Sequence, residues 1–232
     1  MDSPARSPRE RYRLQVREEI KAHAWEQVAT AGASALSLNA IARRMGLSGP
    51  ALYRYFASRD ELITELVLDA YRDLAGTCRA AASAEHGPAA RLTTVACALR
   101  QWALAAPHRY LLIYGTPVPG YTAPPETTAI AASLMALLLD SFAEAETEAA
   151  GKADGAGQAA EPDTALERDL AGHRSWAAGH RASPAAQHRA LTFWTRLHGV
   201  LSLELAGHFA GMQFDPALLY SAETHAAIGT NQ

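Results

Sequence analysis

The chain has 232 residues, 49% of them hydrophobic and 19% charged, which excludes global disorder and fits one large domain or two small ones. Two cysteines are too few for a disulfide framework or a cysteine-rich zinc site. The net charge of −3 hides an asymmetry: residues 1–59 carry ten basic and five acidic residues (net +5), whereas residues 60–232 carry eleven and nineteen (net −8). A basic first segment on an acidic body predicts that only the first segment meets a polyanion, although charge alone leaves an ordinary fluctuation equally open.

The first part of the chain is predicted to be a flexible basic arm, residues 1–11, followed by helices. A helix from Tyr12 to Gly32 is predicted because apolar residues recur every four positions along it, and glycine commonly follows a last helical turn. Three short helical segments come next. Ser58 and Glu61 then have the spacing of a capping box, which predicts the start of a longer helix.

The rest of the chain is also predicted to be helical. Alanine supplies 51 residues and β-branched residues are few, which favours helix over strand. Residues 107–125 are rich in proline and predict a short helix followed by an irregular loop, and residues 150–163 have the composition of a flexible linker. Further helices are predicted at 89–105, 129–149, 164–179 and 184–211, with a short helical tail after Pro216.

The predicted fold class is therefore all-α. We expect an N-terminal three-helix bundle with a helix-turn-helix at residues 12–60, joined to a larger antiparallel helical domain at residues 61–232. No secretory signal follows the basic N-terminus, and no uninterrupted apolar run approaches the roughly 18 residues of a membrane span. These features predict a soluble, cytoplasmic protein without a membrane partner.

Residues 38–57 have the pattern of a DNA-reading helix-turn-helix. Ala42 supplies the small residue needed where two helices cross closely, and Gly46 supplies a turn residue that tolerates positive φ. Ser48 can cap the second helix, and Pro50 is tolerated in a first helical turn. A tight helical corner without a nucleic-acid role is the alternative interpretation of this pattern.

The run SLNAIARRMGLSGPALYRYFASRDELI (residues 37–63) resembles the DNA-binding domain of the TetR family of bacterial transcriptional regulators. The runs HRYLLIYGTPVPGYTAPPE and FWTRLHGVLSLELAGHF resemble the ligand-binding domain of one TetR subgroup, which is named for a Trp-His-Gly signature. In this sequence the signature residues are Trp194, His198 and Gly199. Arg59 departs from the family, which usually has lysine at this position.

The resemblance implies that the protein binds a double-stranded DNA operator. The helix predicted from Gly49 to Phe56 should enter the major groove, where Arg54 is suited to reading guanine. Tyr53 and Tyr55 match family positions that bind phosphates, while core packing is favoured for Phe56 and also for Tyr55. Arginines in the arm could follow the DNA or be merely solvated. The candidate DNA-binding residues are Ser37, Arg43, Arg44, Ser48, Gly49, Pro50, Ala51, Tyr53, Arg54, Tyr55 and Arg59.

The resemblance also implies a homodimer and a small-molecule effector. Small residues and a leucine on the last long helix would let two subunits approach closely, and these dimer candidates are Gly199, Leu203, Ala206, Gly207 and Ala210. Aromatic and histidine side chains suggest a small apolar or aromatic effector. The candidate pocket residues, each of which could instead be a core residue, are Trp102, His108, Tyr110, Tyr114, Phe142, Trp176, Trp194 and His198.

The sequence therefore predicts a regulator, most simply a repressor that a small-molecule effector releases from a palindromic operator. A transcriptional activator of the same fold is an alternative, because the position of the operator is not encoded in the protein. A helical enzyme is the alternative from another class. The chain has no H-E-x-x-H, no glycine-rich phosphate loop and no G-x-S-x-G, so no catalytic or metal site and no cofactor is predicted.

Overall fold

The structure is a computed structural model that describes residues 7–152, 164–173, 176 and 179–229. These residues form ten α-helices and a short 3₁₀ turn at Ala33–Ala35, without a strand, which confirms the predicted all-α class. The helices are α1 (Pro8–Ala31), α2 (Leu38–Arg44), α3 (Gly49–Leu52), α4 (Arg59–Ser83), α5 (Pro88–Ala105), α6 (Pro107–Tyr114), α7 (Pro125–Lys152), α8 (Ala165–Gly172), α9 (Pro184–Leu205) and α10 (Pro216–Ile228).

Some helix ends differ from the prediction for local reasons. Helix α1 begins four residues before Tyr12, because Ser7 and Glu10 form a capping box; residues 8–11 are therefore helical rather than flexible. Helix α9 ends at Leu205 instead of 211, and Gly207 follows it with a φ of 77°. Helix α8 ends at Gly172, earlier than predicted. Most of the predicted linker, residues 153–163, lies outside the described residues.

The first of two compact units contains the chain up to Ala70 together with Pro107–Pro124. Helices α1, α2, α3 and the first part of α4 bury a shared apolar core. The proline-rich segment joins this unit: the Trp25 and His108 rings meet edge to face at 5.6 Å, and the Thr64 and Tyr121 hydroxyls are 3.1 Å apart. Sequence patterns placed this segment in the domain 61–232, whereas its contacts group it with the helix-turn-helix.

The second compact unit contains Tyr71–Ala106 and the chain from Pro125 onward. Helix α9 packs against α7, α8 and α10, and α5 packs against α7, α9 and α10. The rings of Phe142 and Phe193 meet edge to face at 5.8 Å inside this core. The buried Tyr220 hydroxyl donates to the Ala96 carbonyl, so the C-terminal helix is tied to α5 through a main-chain group.

Helix α7 has an unusually apolar composition. By length and composition alone, this one helix among the described residues could cross a membrane. The expectation of no candidate span considered only uninterrupted apolar runs, so it did not anticipate this helix. Buried leucines and Phe142 on α7 pack into the second unit, although only 28% of its most apolar stretch is buried.

Candidate nucleic-acid interface

Helices α2 and α3 form the predicted helix-turn-helix. Gly46 has a φ of 67°, the left-handed conformation that glycine adopts without strain, and the Leu47 amide donates to the Ala42 carbonyl at 2.9 Å to close the turn. Ala42 is buried at the predicted crossing, together with Ile41 and Leu52. The turn that the sequence predicted is therefore built as a close corner between two short helices.

Serine side chains begin both helices of the motif. The Ser37 hydroxyl accepts the Ala40 amide at 3.3 Å, and the Ser48 hydroxyl accepts the Ala51 amide at 3.3 Å. Both residues therefore serve as N-caps in the free protein. Pro50 is exposed in the first turn of α3, where a missing amide costs no hydrogen bond.

The recognition element, which consists of α3 and the turn at Tyr53–Tyr55, contains a shorter helix than predicted. Regular helix ends at Leu52, and Tyr53–Tyr55 form a tightened turn in which the Tyr55 amide donates to the Leu52 carbonyl at 2.8 Å. Tyr53 is 46% exposed and Arg54 is also exposed, so both side chains can reach a ligand outside the protein. Gly49, Ala51 and Tyr55 are partly exposed, and Phe56 is buried as predicted.

The candidate arginines have different environments. Arg43 is exposed on α2, and Arg44 forms an ion pair with Glu26 at 2.5 Å while remaining 58% exposed. Arg59 instead turns towards its own unit and donates to three main-chain carbonyls, of Ala33, Ser34 and Leu36, at 2.9, 3.2 and 3.1 Å. The Arg59 guanidinium thus holds the 3₁₀ turn next to the start of α4, a fork of contacts that a lysine could not reproduce.

Arg17 is a structural residue of the interface that the sequence analysis did not identify. Its guanidinium donates to the Tyr55 carbonyl, lies 4.1 Å from the centre of the Phe56 ring, and pairs with Glu61 and Glu65 at 3.6 and 3.3 Å. These contacts hold the end of the turn at Tyr53–Tyr55, the recognition turn, against α1. The available signal was an arginine interrupting the apolar side of α1, but its partners are about forty positions away in sequence.

Three candidate effector residues lie in the first unit. Tyr110 is fully buried and its ring is 5.2 Å from that of Tyr114. His108 lines a groove of about 460 Å³ between the end of α1 and α6, whose other walls include Val28, Leu111 and Val118. Burial, and then the nearby Arg109 charge, lower the pKa of His108, which favours a neutral imidazole in this groove.

The other candidates lie in the second unit. Phe142 is a core residue, and the Trp102 indole donates to Asp73 at 3.0 Å. The Trp194 and His198 rings are 4.0 Å apart, and burial lowers the pKa of His198 to about 3. Trp176 is partly exposed. No group of three or more metal-ligating side chains lies together in the described part of the chain.

The dimer candidates share one property, which is exposure on the isolated chain. All five are exposed: Gly199, Leu203, Ala206, Gly207 and Ala210. Gly199 and Leu203 lie on α9, whereas the other three follow its last turn. Exposed apolar side chains that the sequence analysis missed lie in the same part of the chain: Met212, Phe214 and, at 70% exposure, Leu218.

Comparisons with known proteins agree on one family. Residues 20–66 match the model described as bacterial regulatory proteins, tetR family, and residues 92–227 match one described as tetracyclin repressor-like, C-terminal domain. An HTH-type transcriptional regulator of Mycobacterium tuberculosis is 35% identical over 93% of this chain and 94% of its own.

Two solved structures have the same fold. SCO4313, named as a regulatory protein, is 58% identical with a TM-score of 0.83, and the match covers 96% of this chain and 100% of that one. PfmR, a TetR family transcriptional regulator from Thermus thermophilus, is 15% identical with a TM-score of 0.61, over 92% and 98% of the two chains. At that identity PfmR supports the fold alone.

Proposed function

The chain belongs to the TetR family and is a DNA-binding transcriptional regulator, and from this premise we propose that it is a cytoplasmic repressor released from its operator by a small molecule. The observation that carries the proposal is the exposed recognition element, in which Tyr53 and Arg54 project from a turn held by Arg17. The family and these relatives are regulators, not enzymes, so the enzyme alternative is set aside.

We further propose that two chains form a homodimer through the end of α9 and the start of α10. A single short recognition helix offers too little surface for tight and specific binding, so dimers on palindromic half-sites are usual for such motifs. The exposed Leu203, Met212, Phe214 and Leu218 supply an apolar surface that a second copy would cover.

The proposed effector is small and apolar or aromatic, and its site lies in the domain that carries Trp194, His198 and Gly199. These residues support membership of the Trp-His-Gly subgroup of the family. The uncharged imidazole of His198 beside an indole suits an apolar ligand better than an anion. Such an effector would release the operator by binding better to a conformation whose recognition elements are wrongly spaced for DNA.

The recognition element gives the direct test of this proposal. We expect Tyr53→Ala and Arg54→Ala each to weaken binding to a cognate operator by about 1–3 kcal/mol, because each removes an exposed side chain that can contact a base or phosphate. Fluorescence anisotropy on labelled DNA from the regions flanking the gene, against scrambled competitor, measures the effect. Size-exclusion chromatography with light scattering should show an unchanged dimer mass for both variants.

Arg168→Gln is a matched control, because Arg168 is an exposed arginine on α8 in the second unit. This variant should bind the operator like the unchanged protein. Normal binding by both Tyr53→Ala and Arg54→Ala would show that the recognition element is assigned to the wrong residues.

A further inference from the structure

The first two turns of α1 extend beyond the packed part of the first unit. Every residue from Pro8 to Gln15 is exposed, and Val16, at 8% exposure, is the first buried residue of the helix. Eight helical residues span about 12 Å. The Ser7–Glu10 capping box holds this extension in helical form, so its side chains project from a defined frame.

A change from apolar to cationic residues occurs along one face of this helix. Arg9 and Arg13 have helical spacing that places them on the face that continues as Val16, Ile20 and Ala24. The three later residues are buried against the first unit. The two arginines are exposed, so the face becomes basic where the helix passes the edge of its own core.

This arrangement is unfavourable for the helix by itself. Arg9 and Arg13 are separated by i, i+4 spacing, where like charges repel. Arg9 also lies in the first turn of α1, where the helix dipole favours anions over cations and where Glu10 is the acidic residue. Both costs fall when an anion binds beside Arg9 and Arg13, which makes this surface complementary to phosphate.

The same face adjoins the recognition element. The Arg13 guanidinium is 3.5 Å from the Arg54 carbonyl, and Arg17, one turn further on, donates to the Tyr55 carbonyl. The basic face is therefore continuous with the exposed side chains of Tyr53 and Arg54. A duplex bound at the recognition turn would present its backbone close to this extension.

We propose that residues 8–15 form a second DNA-binding element, in which Arg9 and Arg13 bind the phosphodiester backbone beside the base pairs contacted by α3. Guanidinium groups bind phosphate oxygens through paired hydrogen bonds, and such contacts fix the position of a protein on its site. Tyr12, at 64% exposure, adds a hydroxyl donor next to the arginines. This inference rests on the proposed operator binding and adds contacts outside the helix-turn-helix.

The experiment measures how operator affinity depends on salt. A duplex recovered by in vitro selection with the full-length protein is titrated by anisotropy between about 0.1 and 1 M salt. Each lost phosphate contact makes the slope of log affinity against log salt less negative by about 0.9. At 0.1 M salt this loss corresponds to an affinity about eightfold weaker. We expect this loss for Arg9→Gln and a larger one for Arg9→Gln/Arg13→Gln, while Arg9→Lys keeps most of the slope.

Controls separate this inference from the proposed function. Arg43→Gln removes a cation of the helix-turn-helix and should lower the slope, whereas Arg168→Gln in the second unit should not. An unchanged slope for both Arg9→Gln and Arg9→Gln/Arg13→Gln, with Arg43→Gln behaving as expected, would overturn the extension alone. If selection recovers no duplex for the unchanged protein, the proposed function fails together with the inference. Far-UV circular dichroism should show equal helix content in all variants.

Discussion

The folded protein should lose stability as pH falls from about 6.5 towards 3, in large part because of His198. Burial lowers the pKa of His198 to about 3, while in the unfolded chain it should titrate near its ordinary 6.5. As the pH falls, His198 is therefore protonated first in the unfolded chain. The stabilisation from uncharged His198 is complete above the unfolded pKa of about 6.5 and is lost progressively as the pH falls towards the folded pKa of about 3. The total cost over this range is about 4–5 kcal/mol in the free energy of unfolding.

Urea denaturation at several pH values would measure this loss, with His198→Gln as the comparison. The glutamine side chain at position 198 cannot titrate, so the stability of this variant should fall less between about pH 6.5 and 4 than that of the unchanged protein. Carboxylates titrate in both proteins and cancel in the difference. Parallel pH profiles for His198→Gln and the unchanged protein would exclude a buried, uncharged His198.

Phe142→Ala should be among the most destabilising single substitutions in the second unit. The Phe142 side chain is fully buried, meets the Phe193 ring edge to face and lies 4.9 Å from the Arg189 guanidinium. Removing the ring leaves a cavity that the surrounding helices cannot fully close, at a cost of about 3–5 kcal/mol in the free energy of unfolding. The shift of the urea midpoint at constant slope measures this cost.

The size of this effect depends on burial, so an exposed apolar residue provides the control. Leu166→Ala, on α8, should change the free energy of unfolding by no more than about 0.5 kcal/mol. Phe142→Leu keeps much of the volume and should cost less than the alanine variant. A loss below about 1 kcal/mol for Phe142→Ala would show that α7 does not pack on α9 through this residue.

The helix-turn-helix could be predicted from sequence because local chemistry determines it. The positive φ of Gly46, the small residue at Ala42 and the serine caps all act within about four residues of their own position. The same holds for the cap of α4, where the Ser58 hydroxyl accepts the Glu61 amide. In a capping box the Glu61 carboxylate would accept the amide of Ser58. It accepts the Ala57 amide instead, one position earlier.

Contacts between distant residues could not be predicted in this way. The Lys21–Asp69 pair at 2.8 Å and the contact from Arg17 to Tyr55 join α1 to residues far along the chain. Helical periodicity shows which residues face inward, but not which partners they meet. The carbonyl contacts of Arg59 were also not predicted, because their acceptors lie more than twenty positions earlier in the chain. The DNA contact of Arg59 stays a prediction.

The arginine contacts around the recognition turn have an evolutionary consequence. Arg13 and Arg17 donate to the main-chain carbonyls of residues 54 and 55. A carbonyl is present whatever side chain the residue carries. Mutations at positions 54 and 55 could therefore change the preferred operator sequence while leaving these supporting bonds in place. A lineage carrying these two arginines can acquire new DNA targets through substitutions that cost the fold little.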